Sequence, residues 1–441
     1  MLTSALRTLT RPLVGGIRRP VERHLPDPLT IALLLTIGVI VAAVAVERRP
    51  PLEVLSLWGN GAFSQLALSM QVLLLTLAGM ALAGAAPLNR ALERIAGIIA
   101  TPGRALAWVT LVALTASLLH WGLGLVAGAL MARALARQIA VDYRLLVASA
   151  YSGLVVWHGG LSGRIPQMIA AQGHDFAERI GTLALADTLL TPYNLGILAG
   201  LAVILPLLNR LLGLTGTPEG PTPEAQEPLP RPRRTHLAER LAQSHWLAGL
   251  LAAPALLFVA YDALWLGRGL TLNTLILGLL ATALVLHRTP VQLYHCLEAG
   301  AAKTAGVILQ FPLYAGIMAV MAQSGLALSL TDTLLAPATA ASLPLWVFLG
   351  AGTLNLLVPP GGEQWLMQAP AVIHSAETLG MDLPRAAMAV AWGDAWSNLI
   401  QPFWALPMLA ITGLRARDIL GVGLIQLVVT GLVIGAGLLW L

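Results

Sequence analysis

Residues 353–370 read TLNLLVPPGGEQWLMQAP, and residues 391–404 read AWGDAWSNLIQPFW. Within otherwise apolar sequence the first run sets Asn355, Pro359, Pro360, Gly361, Gly362, Glu363 and Gln364. The second sets Gly393, Asp394, Ser397, Asn398, Gln401 and Pro402. Prolines, glycines and acids are what a membrane helix avoids, because each backbone group left unbonded in hydrocarbon costs several kcal/mol. Their presence implies a backbone broken around a cavity that binds something. This reading makes the chain a membrane protein with interrupted helices.

The surrounding sequence agrees. Of 441 residues, 57% are hydrophobic and 11% charged, against roughly 25% charged in soluble domains. Mean hydropathy is +0.77. Uncharged stretches long enough to span a bilayer recur along the chain, as in a polytopic inner-membrane protein. A single cysteine, Cys296, excludes a disulfide framework and a cysteine-based metal site. The net charge of +5 carries no nucleic-acid signal, because the basic residues lie between apolar spans, where orientation signals belong. Arg7, Arg11, Arg18, Arg19 and Arg23 mark residues 1–26 as a basic cytoplasmic segment, either amphipathic or a plain tail.

In chain order, apolar spans are expected at about 28–46, 63–86, 105–132 (interrupted at His120–Gly124), 145–163 (interrupted at Gly153 and His158–Gly160) and 180–208. Residues 210–244, rich in Pro, Glu and Arg, read as a polar linker outside the membrane. One extra span falls in 245–270, and further spans follow at about 271–286, 303–323, the opening stretch, and 419–441.

The two halves, 27–209 and 271–441, repeat. Pro51 and Pro290, Gly61 and Gly300, Gln71 and Gln310, and Gly122 and Gly361 are each 239 apart, while Asp142 and Asp382, Gly153 and Gly393, and Gly181 and Gly421 are 240 apart. With a cytoplasmic N-terminus, the extra span makes the second repeat start on the opposite side from the first. The expected fold class is therefore all-α and polytopic, with two inverted-topology repeats, broken helices and two re-entrant helical hairpins. This topology keeps inside the loop after the second span, with Arg90, Arg94 and Arg104, together with Arg133, Arg137, Arg144, His287, Arg288, Lys303, Arg415 and Arg417, and puts the C-terminus outside. Arg48, Arg49 and Arg164 fall outside, against the rule.

Inverted repeats whose broken helices meet at the midplane are the plan of many secondary transporters. Helix N-termini facing a cavity offer N–H groups and positive dipole ends to an anion. On this basis the candidate substrate-binding residues are His120, Trp121, Gly122, Gly124, His158, Gly159, Gly160, Ser162, Gly361, Gly362, Gln364, Ser397, Asn398 and Gln401. The ion-coupling candidates are the carboxylates Asp394, Asp187 and Glu363. Trp157, Trp365, Trp392 and Trp396 line an apolar pocket or simply pack.

NLLVPPGGEQWLMQAP, GDAWSNLIQPFWALP, HWGLGLVAGA, HGGLSG and LPDPLTIALLLT resemble the bacterial short-chain fatty acid transporters, the acetoacetate and butyrate uptake proteins of the wider ion transporter superfamily. The resemblance covers nearly the whole chain. It implies a carrier of small monocarboxylates coupled to H+ or Na+, a homodimer, an elevator-like motion, and no bound cofactor. Four positions depart from the family's pattern: Pro360 in place of Ser, Glu363 in place of Gly, His120 in place of Asn, and Arg164 in place of a small residue.

A carrier of another organic anion, a dicarboxylate or hydroxy acid, is the alternative, with Arg164 as its motivating residue. An intramembrane enzyme is disfavoured, since the chain has no HExxH and no Gly-x-Ser-x-Gly elbow.

Overall fold

A computed structural model describes residues 16, 20, 21, 23–214, 222, 223 and 236–441. Most of the basic N-terminal segment and of the polar linker, including Arg231, Arg233 and Arg234, lies outside the described residues. The fold is all-helical and multi-pass: among the described residues, eight helices are long and apolar enough to cross a membrane.

Helices of seven residues or more are numbered in order. The first half contains α1 (Pro28–Ala45), α2 (Pro51–Gly61), α3 (Leu66–Gly84), α4 (Ala86–Gly97), α5 (Pro102–Leu119), α6 (Trp121–Gln138), α7 (Tyr143–Ser152), α8 (Arg164–Ala170) and α9 (Pro192–Leu212). A 3-10 segment, Gly153–Gly159, continues α7. After α10 (His245–Ala260) come α11 (Leu272–His287), α12 (Pro290–Ala301), α13 (Ala305–Ser324), α14 (Leu326–Leu335), α15 (Leu343–Asn355), α16 (Gly361–Leu379) and α17 (Leu383–Ser397). A second 3-10 turn, Asn398–Ile400, precedes α18 (Pro402–Thr412) and α19 (Ala416–Trp440).

Local chemistry sets the helix starts. Proline opens α1, α2, α9, α12 and α18, where its missing N–H has no helical partner to lose. Asp142 and Asp382, one of the repeat pairs, cap α7 and α17 by accepting backbone N–H groups.

Two expectations are corrected. The span placed at 180–208 begins only at Pro192; before it lies a short helix, Leu185–Leu189, whose Asp187 is exposed and accepts the N–H of Ala184 at 3.2 Å. The stretch carrying Arg90 and Arg94 is the helix α4, not a loop.

The interior divides into two apolar clusters. One gathers side chains from α1, α3, α6, α7, α11, α13 and α18. The other gathers α8, α9, α15, α16, α17 and the end of α19. Trp157 belongs to the first and Val156 to the second, so the 3-10 segment after α7 lies on the seam. Contacts also tie chain-distant helix ends together: Arg137 pairs with Glu93 at 3.1 Å, and Arg144 at the start of α7 pairs with Asp418 at the start of α19 at 3.3 Å.

Four helices meet through one buried polar knot. Asn209 of α9 donates to Thr110 Oγ1 (2.9 Å) and Ser152 Oγ (3.1 Å), and accepts from Gln426 Nε2 (2.8 Å). All four residues have no solvent exposure. Asn209→Leu removes three buried hydrogen bonds, each contributing about 0.5–1.5 kcal/mol, while Thr110, Ser152 and Gln426 keep backbone carbonyl partners. The variant is expected to show a lower thermal midpoint in detergent, followed by tryptophan fluorescence; an unchanged midpoint would remove the knot from the account of stability.

Candidate functional site

Each hairpin turns at a break, and each tip is stitched to the break in the helix that follows. Between α5 and α6 the turn is His120 in extended backbone, whose Nδ1 accepts the Gly122 N–H at 3.1 Å. The Trp121 N–H donates to Ser162 Oγ at 3.0 Å, and the Leu161 N–H to the Leu118 carbonyl at 2.7 Å. The first tip is thereby held against the Trp157–Gly163 segment.

The second hairpin turns at Leu356–Pro360, and Pro360 is the N-cap of α16 with no side-chain cap. Here Gln401 Nε2 donates to the Asn355 carbonyl at 2.8 Å, and Trp404 Nε1 to the Pro359 carbonyl at 3.2 Å. Ser162 and Gln401, the side chains that brace the two tips, are themselves 239 apart in sequence. The Asn355 amide lies within bonding distance of the Asp394 carbonyl (2.9 Å), Ser397 Oγ (2.9 Å) and Asn398 Oδ1 (2.7 Å). Asn398 in turn donates to Asp394 Oδ1 at 3.3 Å. Gln364 braces the hairpin from within, donating to the Ala351 carbonyl (2.8 Å) and to Gln368 Oε1 (2.9 Å).

The two halves touch at a histidine–carboxylate pair. His158 Nε2 stands 3.2 Å from Asp394 Oδ1, and both side chains have 0% exposure. The tip of the second hairpin sits directly on this pair: a Cβ on Gly361 would fall 2.5 Å from His158 Nε2 and 3.0 Å from Asp394 Oδ2. Only glycine leaves that approach open, so the N-terminal backbone of α16 lies against the pair. Beside it Trp121, Trp157 and Trp404 form a triangle with ring centroids 5.0–6.5 Å apart, and Trp157 lies 3.7 Å from the His158 ring. Tyr151 fastens the halves again, donating to the Asn398 carbonyl at 2.6 Å.

Among the described residues, several buried oxygens here have no hydrogen-bond partner: Asp394 Oδ2, Asn355 Oδ1, Gln364 Oε1 and Gln401 Oε1. Groups of this kind are costly unless something binds them. The chemistry on offer is a positive helix terminus, an imidazole, a carboxylate and an aromatic wall. The helix terminus and the imidazole suit a small anion, while the unpartnered acceptor oxygens call for a proton, a donor or a cation beside it.

Most of the sequence candidates converge here. His120, Trp121, His158, Gly159, Gly160, Ser162, Gly361, Gln364, Asp394, Ser397, Asn398 and Gln401 lie at the tips and breaks just described. Gly122 and Gly124 form the first turn of α6, and a Cβ on Gly362 would meet Met168 and the Arg164 side chain. Glu363 is half-buried and accepts from Gln65 Nε2 at 3.2 Å. Asp187 is the exposed cap already described and has no place in the cluster. Among the other tryptophans, Trp392 donates to Asn194 Oδ1, Trp396 to the Leu427 carbonyl, and Trp365 packs on Phe176. Sequence reasoning left out Tyr151, Asn194, Asn355 and Trp404 as site residues. Asn355, a lone amide ending an apolar helix beside Pro359, carried a usable signal.

Residues 9–441 match the family described as short chain fatty acid transporter. A protein of Escherichia coli (strain K12) named for short-chain fatty acid transport is 37% identical over 430 residues, 95% of this chain and 97% of that protein. A protein of Haemophilus influenzae with the same name is 35% identical over 435 residues, 96% of this chain and 97% of its own. Two solved structures also align. The Alcanivorax borkumensis YdaH transporter does so with a TM-score of 0.40 and 16% identity, over 93% of this chain and 98% of that one. Neisseria gonorrhoeae MtrF gives a TM-score of 0.36 and 13% identity, over 96% and 97%.

Proposed function

The chain belongs to the short chain fatty acid transporter family, and from that premise we propose that it is a secondary carrier of short monocarboxylates such as butyrate or acetoacetate. In this reading it works in a bacterial inner membrane, coupled to H+ or Na+, and performs no catalysis. The observation that carries it is the closure of the α16 N-terminus over the buried His158–Asp394 pair beside three tryptophans. A carboxylate would sit at the helix N-terminus, where free N–H groups and the dipole favour an anion. Its short alkyl chain would lie among Trp121, Trp157 and Trp404.

Burial of the pair supports alternating access. His158 and Asp394 are fully buried and Trp157 and Trp404 nearly so, so a ligand reaches them only when something moves. An elevator-like motion of the hairpins in a homodimer is the proposed form of that movement. The matching element order of the halves and the Ser162/Gln401 braces support an inverted repeat. A cytoplasmic N-terminus, with the C-terminus outside, then groups Arg137, Arg144 and Arg417 on the inner side.

Counterflow in proteoliposomes tests the substrate. Labelled butyrate or acetoacetate is expected to exchange faster than in protein-free vesicles and to saturate. If no monocarboxylate shows protein-dependent exchange, the substrate class is wrong. A second reading, a dicarboxylate or hydroxy-acid carrier, draws on Arg164, whose side chain lies beside the hairpin tip at Gly362. Faster exchange of succinate or lactate in the same assay would favour it.

A further inference from the structure

The monocarboxylate reading leaves the coupling ion open, and the His158–Asp394 pair bears on it. Resting on that reading, we infer that this pair is the proton site of the carrier: each carboxylate is carried with one proton, taken up on Asp394 beneath the hairpin tip.

The argument begins with charge. Both side chains have no solvent exposure and lie 3.2 Å apart. Among the described residues, no lysine or arginine bonds to either group, and the remaining side-chain donor to Asp394 is the neutral Asn398 at 3.3 Å. A buried pair of this kind is tolerable when its net charge is near zero. With one proton between them, as imidazolium and carboxylate or as imidazole and acid, the pair is neutral. An arriving carboxylate adds one negative charge in a dry site. Neutrality returns if one further proton enters, giving imidazolium, protonated Asp394 and the substrate anion. A hydronium ion from bulk water gives up that proton, an O–H bond forms at Asp394, and the proton leaves with the substrate on the other side.

The geometry supplies a place for it. Among the described residues, Asp394 Oδ2 has no hydrogen-bond partner, nor does His158 Nδ1. Oδ2 and His158 Nε2 both face the position of a Cβ on Gly361, so proton and substrate are bound under the same tip.

The other ionisable groups on the elements packed against the pair have different duties or positions. His120 caps Gly122, and Glu363 on α16 holds Gln65. Tyr151 donates to the Asn398 carbonyl, and Tyr193 on α9 lies under the Arg385 guanidinium. Arg164 on α8 is exposed beside Gly362. Asp187 holds Ala184, and α15 carries no ionisable side chain. Arg104, Arg133, Arg137, Arg144, Arg210, Arg417 and Asp418 lie toward helix ends remote from the breaks in sequence. His374, Glu377, Asp382 and Arg385 flank the opposite ends of α16 and α17.

The test mixes purified, lightly buffered protein in detergent with butyrate at matched pH and follows a pH-indicator dye. The expected result is uptake of one proton per butyrate bound, abolished in Asp394→Asn that still elutes as folded protein. In proteoliposomes a proton gradient alone, without sodium, should raise the initial uptake rate several-fold above protein-free vesicles. Exchange of butyrate without proton uptake by the unmodified protein, or uptake driven only by a sodium gradient, overturns the inference and leaves the carrier reading intact. Absence of any monocarboxylate exchange overturns both. The measurement on the unmodified protein decides the matter even if Asp394→Asn fails to fold.

Discussion

Gly393→Leu is expected to leave no folded carrier. A Cβ on Gly393 would run into the Phe348 carbonyl oxygen and would lie 2.7 Å from Ala351 Cβ and 2.9 Å from the Gly352 nitrogen. Two of these three atoms are backbone and cannot rotate away. The crossing is reciprocal, since a Cβ on Gly352 would stand 2.7 Å from the Trp396 ring. Relief requires α15 and α17 to separate, which also breaks the Asn355 bonds to the Asp394 carbonyl and Ser397. Even one surplus methylene in a packed core costs about 1–3 kcal/mol, and leucine adds four carbons. Gly393→Ala already carries the clashing Cβ and should lower the thermal midpoint steeply, while Gly393→Leu loses the monodisperse peak in size exclusion. Gly153→Leu should fail in the same way, because a Cβ there meets Ala113 at 2.6 Å and the Leu114 nitrogen at 2.7 Å. Gly38→Leu, with nothing within 4 Å of its Cβ position, is the control and should behave like the parent. If Gly393→Leu elutes and melts like the parent, the close crossing is not part of the fold.

That pair of glycines also shows what sequence could and could not give. Their offset of 240 was visible, as were the breaks at His120, Gly153, Pro360 and Asn398, because polar and glycine residues stand out against apolar runs. Why the glycines are needed was not visible, since the clash is with a helix some forty residues away in each half. The span at 180–208 was misread because hydropathy averages over Asp187; the proline at 192 held the better boundary signal. Helix α4 is hard to see in the sequence because Arg90 and Arg94 read as loop charges, although they lie one turn apart on the exposed face opposite Leu88, Leu92 and Ala96. The site was partly legible for the same reason. His158 and Asp394 each attract notice alone, yet they are 236 residues apart, and nothing local says that they meet. Trp404 reads as one more aromatic in an apolar span until its ring stands beside Trp121 at 5.0 Å.

Locking the second hairpin tip is expected to stop transport completely and reversibly. A Cβ on Gly362 would lie 3.0 Å from Met168 Sδ on α8. Gly362→Cys with Met168→Cys, in a Cys296→Ser background so that no other thiol competes, puts two thiols at this contact. Oxidation then ties the start of α16 to α8, the helix that follows the Trp157–Gly163 break. The candidate site lies between those two segments, with Gly361 on one side and His158 on the other. Because His158 and Asp394 have no exposure with the tip in this position, a tied tip should block access from either face of the membrane, whatever larger motion the hairpins make. Counterflow should fall to the protein-free rate on oxidation and recover when a reductant cleaves the bond. The Gly362→Cys single variant, oxidised in parallel, should keep its rate. If mass spectrometry shows the cross-link complete and exchange persists, the tip does not open during the cycle. The substrate would then have to reach the pair from the side of Trp121 and the first hairpin, and the tip of α16 would be a fixed wall rather than a gate.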